Sequence, residues 1–595
     1  MTPAAEYQSR LEARRQAVAA STKASARLSA ARFGTGIAGV FVFWLVFVHR
    51  GASPLWMLAP IVVFIVLARF HEHTLRALDR ARRGEQYYRR ALARLNGDWQ
   101  QYGETGAGFL DPHHPYAASL DIFGPGSVFQ LLSSARTRAG EQVLARWLLT
   151  PASPAEITAR QQAVSDLKPR LDLREELFLL GDDIRAGIHP DALAQWGDAA
   201  AVLPGRAVRL ASFVLPLLTI AGIVLWASQG SRILFLLAAL AQALLFYYLR
   251  PMVNQVLESL DAPARELQLI AVLLRRIENE PFEAPLLSNL SQQFAAQPSR
   301  HIQRLARYVE LASQRRNAFF APVAAILLWS LHFAWAIEAW RAAHGSSIAR
   351  WLDALGEFEA LSSLAVYAAG RPEDVFPIIQ EGPPLYDGEN IAHPLLPRGR
   401  AVPNSIRISN EQPLIIISGS NMSGKSTMLR TVGVNAVLAF AGAPVRASRL
   451  TLTPFAIGAS IRVVDSLQEG SSRFFAEITQ LRRLVDLARG PVPLLFLLDE
   501  ILSGTNSHDR RIGAAAILRG LLSLGAAGLV TTHDLALTRI AETVEPPGLN
   551  LHFEDHLEEG RIVFDYRIRP GVVAKSNALA LMRSIGLDVD DSLRS

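Results

Sequence analysis

Uncharged runs alternate with charge-rich helical sequence along this chain, and their order predicts most of its architecture. Residues 1–32 carry Arg10, Arg14, Arg15, Lys23, Arg27 and Arg32 against Glu6 and Glu12, which reads as a basic helical arm. Phe33 to Val48 then holds no charge, and Pro54 to Ala68 is a second uncharged run after His49-Arg50-Gly51-Ala52-Ser53. Each is slightly shorter than the roughly 20 residues of a spanning helix, and flanking side chains that reach back to the interface make up the difference. A second pair, Leu210 to Ser228 and Ile233 to Leu249, is joined by Gln229-Gly230-Ser231-Arg232, with Trp226, Tyr247 and Tyr248 near its ends. Arginines flank both pairs: Arg27, Arg32, Arg69, Arg76, Arg80, Arg82 and Arg83 around the first, Arg206, Arg209 and Arg250 around the second. The positive-inside rule therefore predicts two membrane hairpins with every end in the cytoplasm. A buried helical pair is the competing reading of the first. A cleaved signal peptide is not expected, because the first run starts late and a second follows at once.

Between and after these pairs the pattern is that of amphipathic helices. Asp121 to Leu132, Thr137 to Pro151 and Arg160 to Val164 read as helices joined by Gly/Pro turns. Residues 254–317 are charged and helical, with Arg265, Arg275, Arg276, Arg304 and Arg307. Ala318 to Ile337 is apolar but contains Pro322 and His332. It is expected as one helix buried in the cytosolic scaffold; a fifth span is the alternative, and an odd number of spans would put the C-terminal half outside. Asp111-Pro112-His113-His114 reads as a loop rather than a metal site.

In the C-terminal half short apolar runs replace helical periodicity. Leu414-Ile415-Ile416-Ile417 predicts a buried strand, and a helical pattern follows from Met428. Between them stands Gly419-Ser420-Asn421-Met422-Ser423-Gly424-Lys425-Ser426-Thr427. Strand, glycine loop and helix form the context that G-x-x-x-x-G-K-[ST] needs: backbone amides and the helix N-terminus close on phosphates. Lys425 is then expected at the β- and γ-phosphates and Ser426 on Mg²⁺. Pro493 to Leu498 predicts a strand ending in Asp499 and Glu500, with Asp499 toward Mg²⁺ and Glu500 polarising the attacking water. Gly528 to Thr532 predicts another strand with His533 at its tip, either a γ-phosphate sensor or a structural histidine. Gly470 to Glu477, including Ser471 and Ser472, opens a helix with free amides, a second phosphate-binding element or an ordinary capped helix.

Composition narrows the classes. The 595 residues include no cysteine, which excludes disulfides, thiolate metal sites and cysteine nucleophiles. The net charge of +6 suits nucleic acid and anionic lipid equally.

Together these residues resemble the MutS family of ABC-type ATPases. Gly419 to Thr427 resembles its phosphate loop, Asp499 to Thr505 its Walker B and D-loop run, Thr532-His533 its switch histidine, and Ser471 to Glu477 its signature segment. His393-Pro394-Leu395-Leu396 and Val402-Pro403-Asn404 match the run-in, and Pro570 to Ala578 resembles the closing motif, with Asn577 where glycine is usual. The similarity covers about residues 115–200 and 350–595. It implies an α/β P-loop, ABC-type ATPase domain joined to an all-α helical core, with the two transmembrane hairpins added. The expected units are a basic arm at 1–32, hairpin 1 at 33–70, a helical linker at 71–114, a helical core at 115–370 interrupted by hairpin 2 at 210–249, and the ATPase domain at 371–595.

The resemblance further implies a homodimer through the ATPase domain, in which Ser472 of one subunit completes the ATP·Mg²⁺ site around Lys425 of the other. DNA is the implied partner. Yet the residues before the core hold only a basic arm and an apolar hairpin, and hairpin 2 falls where the family grips DNA, which counts against mismatch recognition. The expected function is ATP hydrolysis at a bacterial-type inner membrane with DNA binding. The alternative is ATP-driven mechanical or signalling work on the bilayer without DNA.

Overall fold

The computed structural model describes residues 2–180, 190–258, 264–316, 320–461, 473–558 and 561–573. Its first two helices are far longer than the apolar runs inside them. Helix α1 (Pro3–Phe43) is capped by the Thr2 hydroxyl, with proline in its first turn. It passes into one π-helical turn, Trp44–Val48. Helix α2 (Leu58–Asn96) returns and ends at left-handed Gly97. The expected arm and first apolar run are thus one rod. No proline interrupts α1 near position 33, and Gly34, Gly36 and Gly39 alone do not stop a helix paired with α2.

Large apolar side chains in the outer part of this hairpin, among them Phe33, Val40, Phe47, Trp56 and Val62, are exposed. The opposite end is docked. Tyr7 and Leu11 pack with Tyr87, Tyr88 and Phe178, the last from α3 (Leu171–Leu179). Buried Glu175 accepts from Arg14 Nε at 2.7 Å and from the Tyr88 phenol at 2.7 Å.

The second hairpin is α4 (Arg206–Gln229) and α5 (Ile233–Glu258), with Gly230 in the left-handed turn. Among the described residues, four helical stretches are long and apolar enough to cross a membrane: Pro3–Val48, Pro54–Asn96, Ala207–Gln229 and Ile233–Leu257. Beyond α5, α6 (Ala264–Glu278) and α7 (Pro298–Ser313) pack together. The expected single helix over 318–337 is instead two, α8 (Ala321–Ile326) and α9 (Trp329–His344). Leu328 between them is left-handed at φ +48°, and Pro322 fits only the first turn of a helix. Helix α10 (Ile348–Gly370) is buried along most of its length and carries the helical core. The Asp111–His114 segment is a turn, with His114 Nε2 3.2 Å from the Leu149 carbonyl.

The C-terminal half holds two sheets. Strands β1 (Ile378–Ile379), β2 (Leu385–Ile391), β3 (Asn404–Ser409) and β5 (Arg449–Leu452) form one in the order β1-β5-β2-β3. The other has the order β10-β9-β4-β8-β7-β6, built from β4 (Leu414–Ser418), β6 (Ala456–Ser460), β7 (Leu494–Asp499), β8 (Ala527–Thr532), β9 (Leu549–Glu558) and β10 (Arg561–Pro570). Five of these strands run parallel, and β10 closes the edge as an antiparallel hairpin with β9. Strand β4 is fully buried, which is why it reads as continuous apolar sequence. Its C-terminal end meets those of β7 and β8, where loops in such sheets gather ligands.

Candidate functional site

The loop leaving β4 turns through three left-handed residues, Gly419, Met422 and Gly424, into α11 (Lys425–Ala441). Glycine is required at 424: with φ at +105°, a Cβ there would also stand 3.2 Å from the Tyr566 ring. Met422 adopts the same region with its side chain in solvent.

Inside the loop, Lys425 Nζ donates to the carbonyls of Gly419 at 2.8 Å and Ser420 at 2.7 Å. Burial lowers the Lys425 pKa from its usual value, while the charges of Glu500 and Asp499 oppose that shift. The buried hydroxyls of Ser420 and Ser423 have no hydrogen-bond partner among the described residues. A buried cation beside two orphaned hydroxyls and a helix N-terminus has the donor set of a phosphate site.

Across the cavity, Asp499 ends β7 and accepts from the Thr531 hydroxyl of the adjacent β8. Glu500 follows in a left-handed conformation at φ +50°, with its amide on the Thr531 carbonyl at 3.1 Å. Its Oε1 lies 3.2 Å from His533 Nδ1. The next turn is clasped twice: Glu477 accepts the Leu502 amide, and Arg510 donates to the carbonyls of Leu502, Ser503 and Thr505. Strain at Glu500 is thus held by contacts on both sides, a pattern typical of functional positions.

Lys425, Asp499 and Glu500 share a cavity of about 840 Å³, lined also by Asn421, Met422, Gly424, Ser426 and Thr427, whereas Gly419, Ser420, Ser423 and His533 do not line it. A hydroxyl and a carboxylate, Ser426 and Asp499, supply the hard oxygen donors that suit Mg²⁺, so the residues present fit a nucleotide with its cation. Ser471 and Ser472 lie outside the described residues, as do Ala574 to Ala578; α12 (Arg473–Ala488) begins directly after the two serines.

The far wall includes residues that sequence reasoning passed over. Arg400, Phe553 and Tyr566 line the cavity. Asn404 clips β10 to this wall by donating to the Tyr566 carbonyl at 2.9 Å and accepting the Ile568 amide at 2.8 Å. Tyr566 carries no motif; only its left-handed conformation within a hairpin strand marks it, and that is invisible in sequence.

His393, in the run-in, is buried at the cavity edge, and burial pushes its imidazole down to about 4. A depressed histidine favours the neutral form, so its contribution holds above the ordinary value near 6.5 and is lost as pH falls toward 4. His393→Gln is expected to remove about 3 kcal/mol of acid destabilisation across that window. Urea titrations of the two proteins at pH 7.5 and 4.5 check this. Equal pH dependence in both would contradict it.

Comparisons with known proteins find similarity over the part of the chain that holds this cavity. Residues 415–590 match the family model described as MutS domain V. The chain is 35% identical over 225 residues to the DNA mismatch repair protein MutS of Exiguobacterium sp., covering 37% of this chain and 26% of that protein. It is 33% identical over 324 residues to the endonuclease MutS2 of Thermomicrobium roseum, covering 52% of this chain and 36% of that protein. The endonuclease MutS2 of Thermus thermophilus is 32% identical over 249 residues, covering 42% and 32%. The matched part of this chain thus spans between a quarter and two fifths of the length of these relatives.

Proposed function

Because its domain V places this chain in the MutS family, we propose that it is a membrane-anchored, dimeric ATPase that grips DNA. The observation that carries the ATPase reading is the convergence of Lys425, Ser426, Asp499 and Glu500 on one cavity, with His533 3.2 Å from Glu500 and two orphaned serine hydroxyls in the same loop as Lys425. ATP entering this cavity gives Lys425 a phosphate in exchange for the two carbonyls it now holds. Ser426 and Asp499 would hold Mg²⁺, which would supply charge neutralisation to the bound phosphates. Glu500 orients and deprotonates the attacking water, and His533 fixes the Glu500 carboxylate and senses the γ-phosphate. In the family's head-to-tail arrangement, Ser472 of the partner subunit closes the site, so ATP clamps the dimer and hydrolysis releases it.

Membrane anchoring is supported by the four long apolar helices, whose outer side chains are exposed. Arginines on both flanks of each pair support an inner-membrane placement with the ATPase in the cytoplasm. DNA binding is supported by a groove of about 550 Å³ between α6 and α7, lined by Arg275, Arg300, Arg304 and Arg307 against the carboxylate of Glu310. Its four arginines are exposed. Such a stripe is the footprint of phosphate contacts.

Replacing Arg300, Arg304 and Arg307 by alanine is expected to reduce the slope of log affinity against log salt by about 2–3, at roughly 0.9 for each duplex phosphate left without its arginine. Fluorescence anisotropy on duplex DNA across a salt series measures it.

A second reading, mechanical work on the bilayer without DNA, is favoured by one contact. Helix α2 runs unbroken from the apolar band to Gly97, where a Cβ would lie 3.4 Å from Pro397, beside the cavity-lining Leu396. An unchanged salt slope in the triple variant would favour this reading.

A further inference from the structure

Helix α5 carries a buried amide in the middle of its apolar run. Gln242 accepts from the Thr219 hydroxyl of α4 at 2.7 Å. Its Nε2 donates to the carbonyls of Ala325 at 3.0 Å and Ile326 at 2.6 Å. Ala325 and Ile326 are the last residues of α8; the Ala325 carbonyl also accepts the Leu328 amide at 3.2 Å, and the chain breaks at left-handed Leu328. The broken segment therefore ends between the second hairpin and α7, where Trp329 Nε1 donates to the Leu311 carbonyl at 2.7 Å.

Helical rise fixes the depth of that contact. Thr219 lies about 15 Å along α4 from Arg209 and about 15 Å from Gln229, which places it midway through an apolar layer of roughly 30 Å. Gln242 stands about midway between Ile233 and Arg250 by the same measure. Further out, His332 of α9 packs on Phe213 of α4, ring centroids 4.4 Å apart, one turn from Arg209. The chain thus descends through α8 to the level of Gln242, reverses at Leu328, and climbs back along α9. The exposed residues of α8, Pro322, Val323 and Ala325, are all apolar, like the exposed leucines of α5.

We propose that residues 320–332 form a re-entrant element that enters the bilayer from the cytoplasmic side beside hairpin 2 and turns back at mid-depth, with its exposed face covered by lipid acyl chains. This rests on the reading of α4 and α5 as membrane spans. Non-helical backbone is tolerated at that depth only where protein groups satisfy it, and Gln242 does so for the break. The element joins hairpin 2 directly to α9, so a shift in the helical core reaches mid-bilayer through α9 as well as through α4 and α5.

The absence of cysteine allows the test in the full chain. Single cysteines at Val323, Leu240 and Val272, sites with 45%, 59% and 42% exposure, carry a nitroxide in reconstituted bilayers. Collision with oxygen reports lipid, and collision with a water-soluble nickel complex reports solvent. V323C is expected to match L240C, with high oxygen and little nickel accessibility, while V272C shows the reverse. Adding Gln242→Leu, which keeps the bulk but removes the amide, is expected to restore nickel accessibility at V323C and leave L240C unchanged. V323C as nickel-accessible as V272C, with L240C in lipid, would overturn the re-entrant element and leave the spans standing. V323C shielded from both probes would overturn it in favour of burial against a second copy. L240C in water would overturn the membrane reading itself.

Discussion

Glu500→Gln lowers the single-turnover rate of ATP hydrolysis by about 10²–10⁴-fold, the range associated with loss of a positioned general base. It leaves nucleotide affinity within a few-fold of wild type. Glutamine keeps the size of the side chain beside His533, whose Nδ1 lies 3.2 Å from Glu500 Oε1. It also leaves the Glu500 amide on the Thr531 carbonyl. What it removes is the capacity to take a proton from water. Lys425→Ala acts earlier: it deletes the cation inside the loop and is expected to weaken ATP binding by roughly 10²-fold, about two charge-assisted hydrogen bonds. Titration with a fluorescent nucleotide and a quenched single-turnover assay separate the two effects. Hydrolysis at the wild-type rate in the Glu500→Gln protein would remove Glu500 from the mechanism.

Glu338→Ala is expected to destabilise the helical core by about 3–5 kcal/mol, the cost of stranding a buried charge. Glu338 and Arg341 of α9 are both buried, and their ion pair measures 3.0 Å. The same carboxylate accepts the amides of Val202 at 2.7 Å and Leu203 at 3.1 Å, and Arg341 donates to the Ala200 carbonyl at 2.9 Å. The pair therefore buckles α9 to the segment that enters α4. Alanine leaves the Arg341 guanidinium without its carboxylate and two backbone amides without an acceptor. Loss of both partners together in Glu338→Leu/Arg341→Leu costs less than loss of the carboxylate alone, because no charge is stranded. Hydrogen exchange at Val202 and Leu203, together with denaturation midpoints of the three proteins, measures this. A Glu338→Ala protein within about 0.5 kcal/mol of wild type, the usual range for surface substitutions, would contradict the buckle.

The candidate site was legible because its signals are local. Strand, glycine loop and helix follow one another from Leu414 to Ala441, and Asp499, Glu500 and His533 each stand at the tip of a continuous apolar strand. Parallel strands buried on both faces announce themselves this way. The apolar runs likewise marked all four long helices, but not their lengths, since the charged continuations of α1 and α2 look like separate segments until paired. The fate of 318–337 turned on a polar residue far upstream in the sequence, Gln242, which supplies the break with its hydrogen bonds. No local pattern carries that information. The basic groove was hidden for a related reason: Arg275 and Arg304 are neighbours only because α6 and α7 pack side by side.

The central claim is that an ATP-driven clamp of this family works on DNA from a membrane. Its most direct test is DNA binding by the Glu500→Gln protein in lipid nanodiscs, with and without ATP and Mg²⁺, across a salt series. Homoduplex, mismatched and branched DNA are compared side by side. The account predicts binding that ATP alters, that falls steeply with salt, and that shows no preference for the mismatch. An absence of binding at low salt, with ATP bound, would contradict it and leave an ATPase whose work is done on the bilayer.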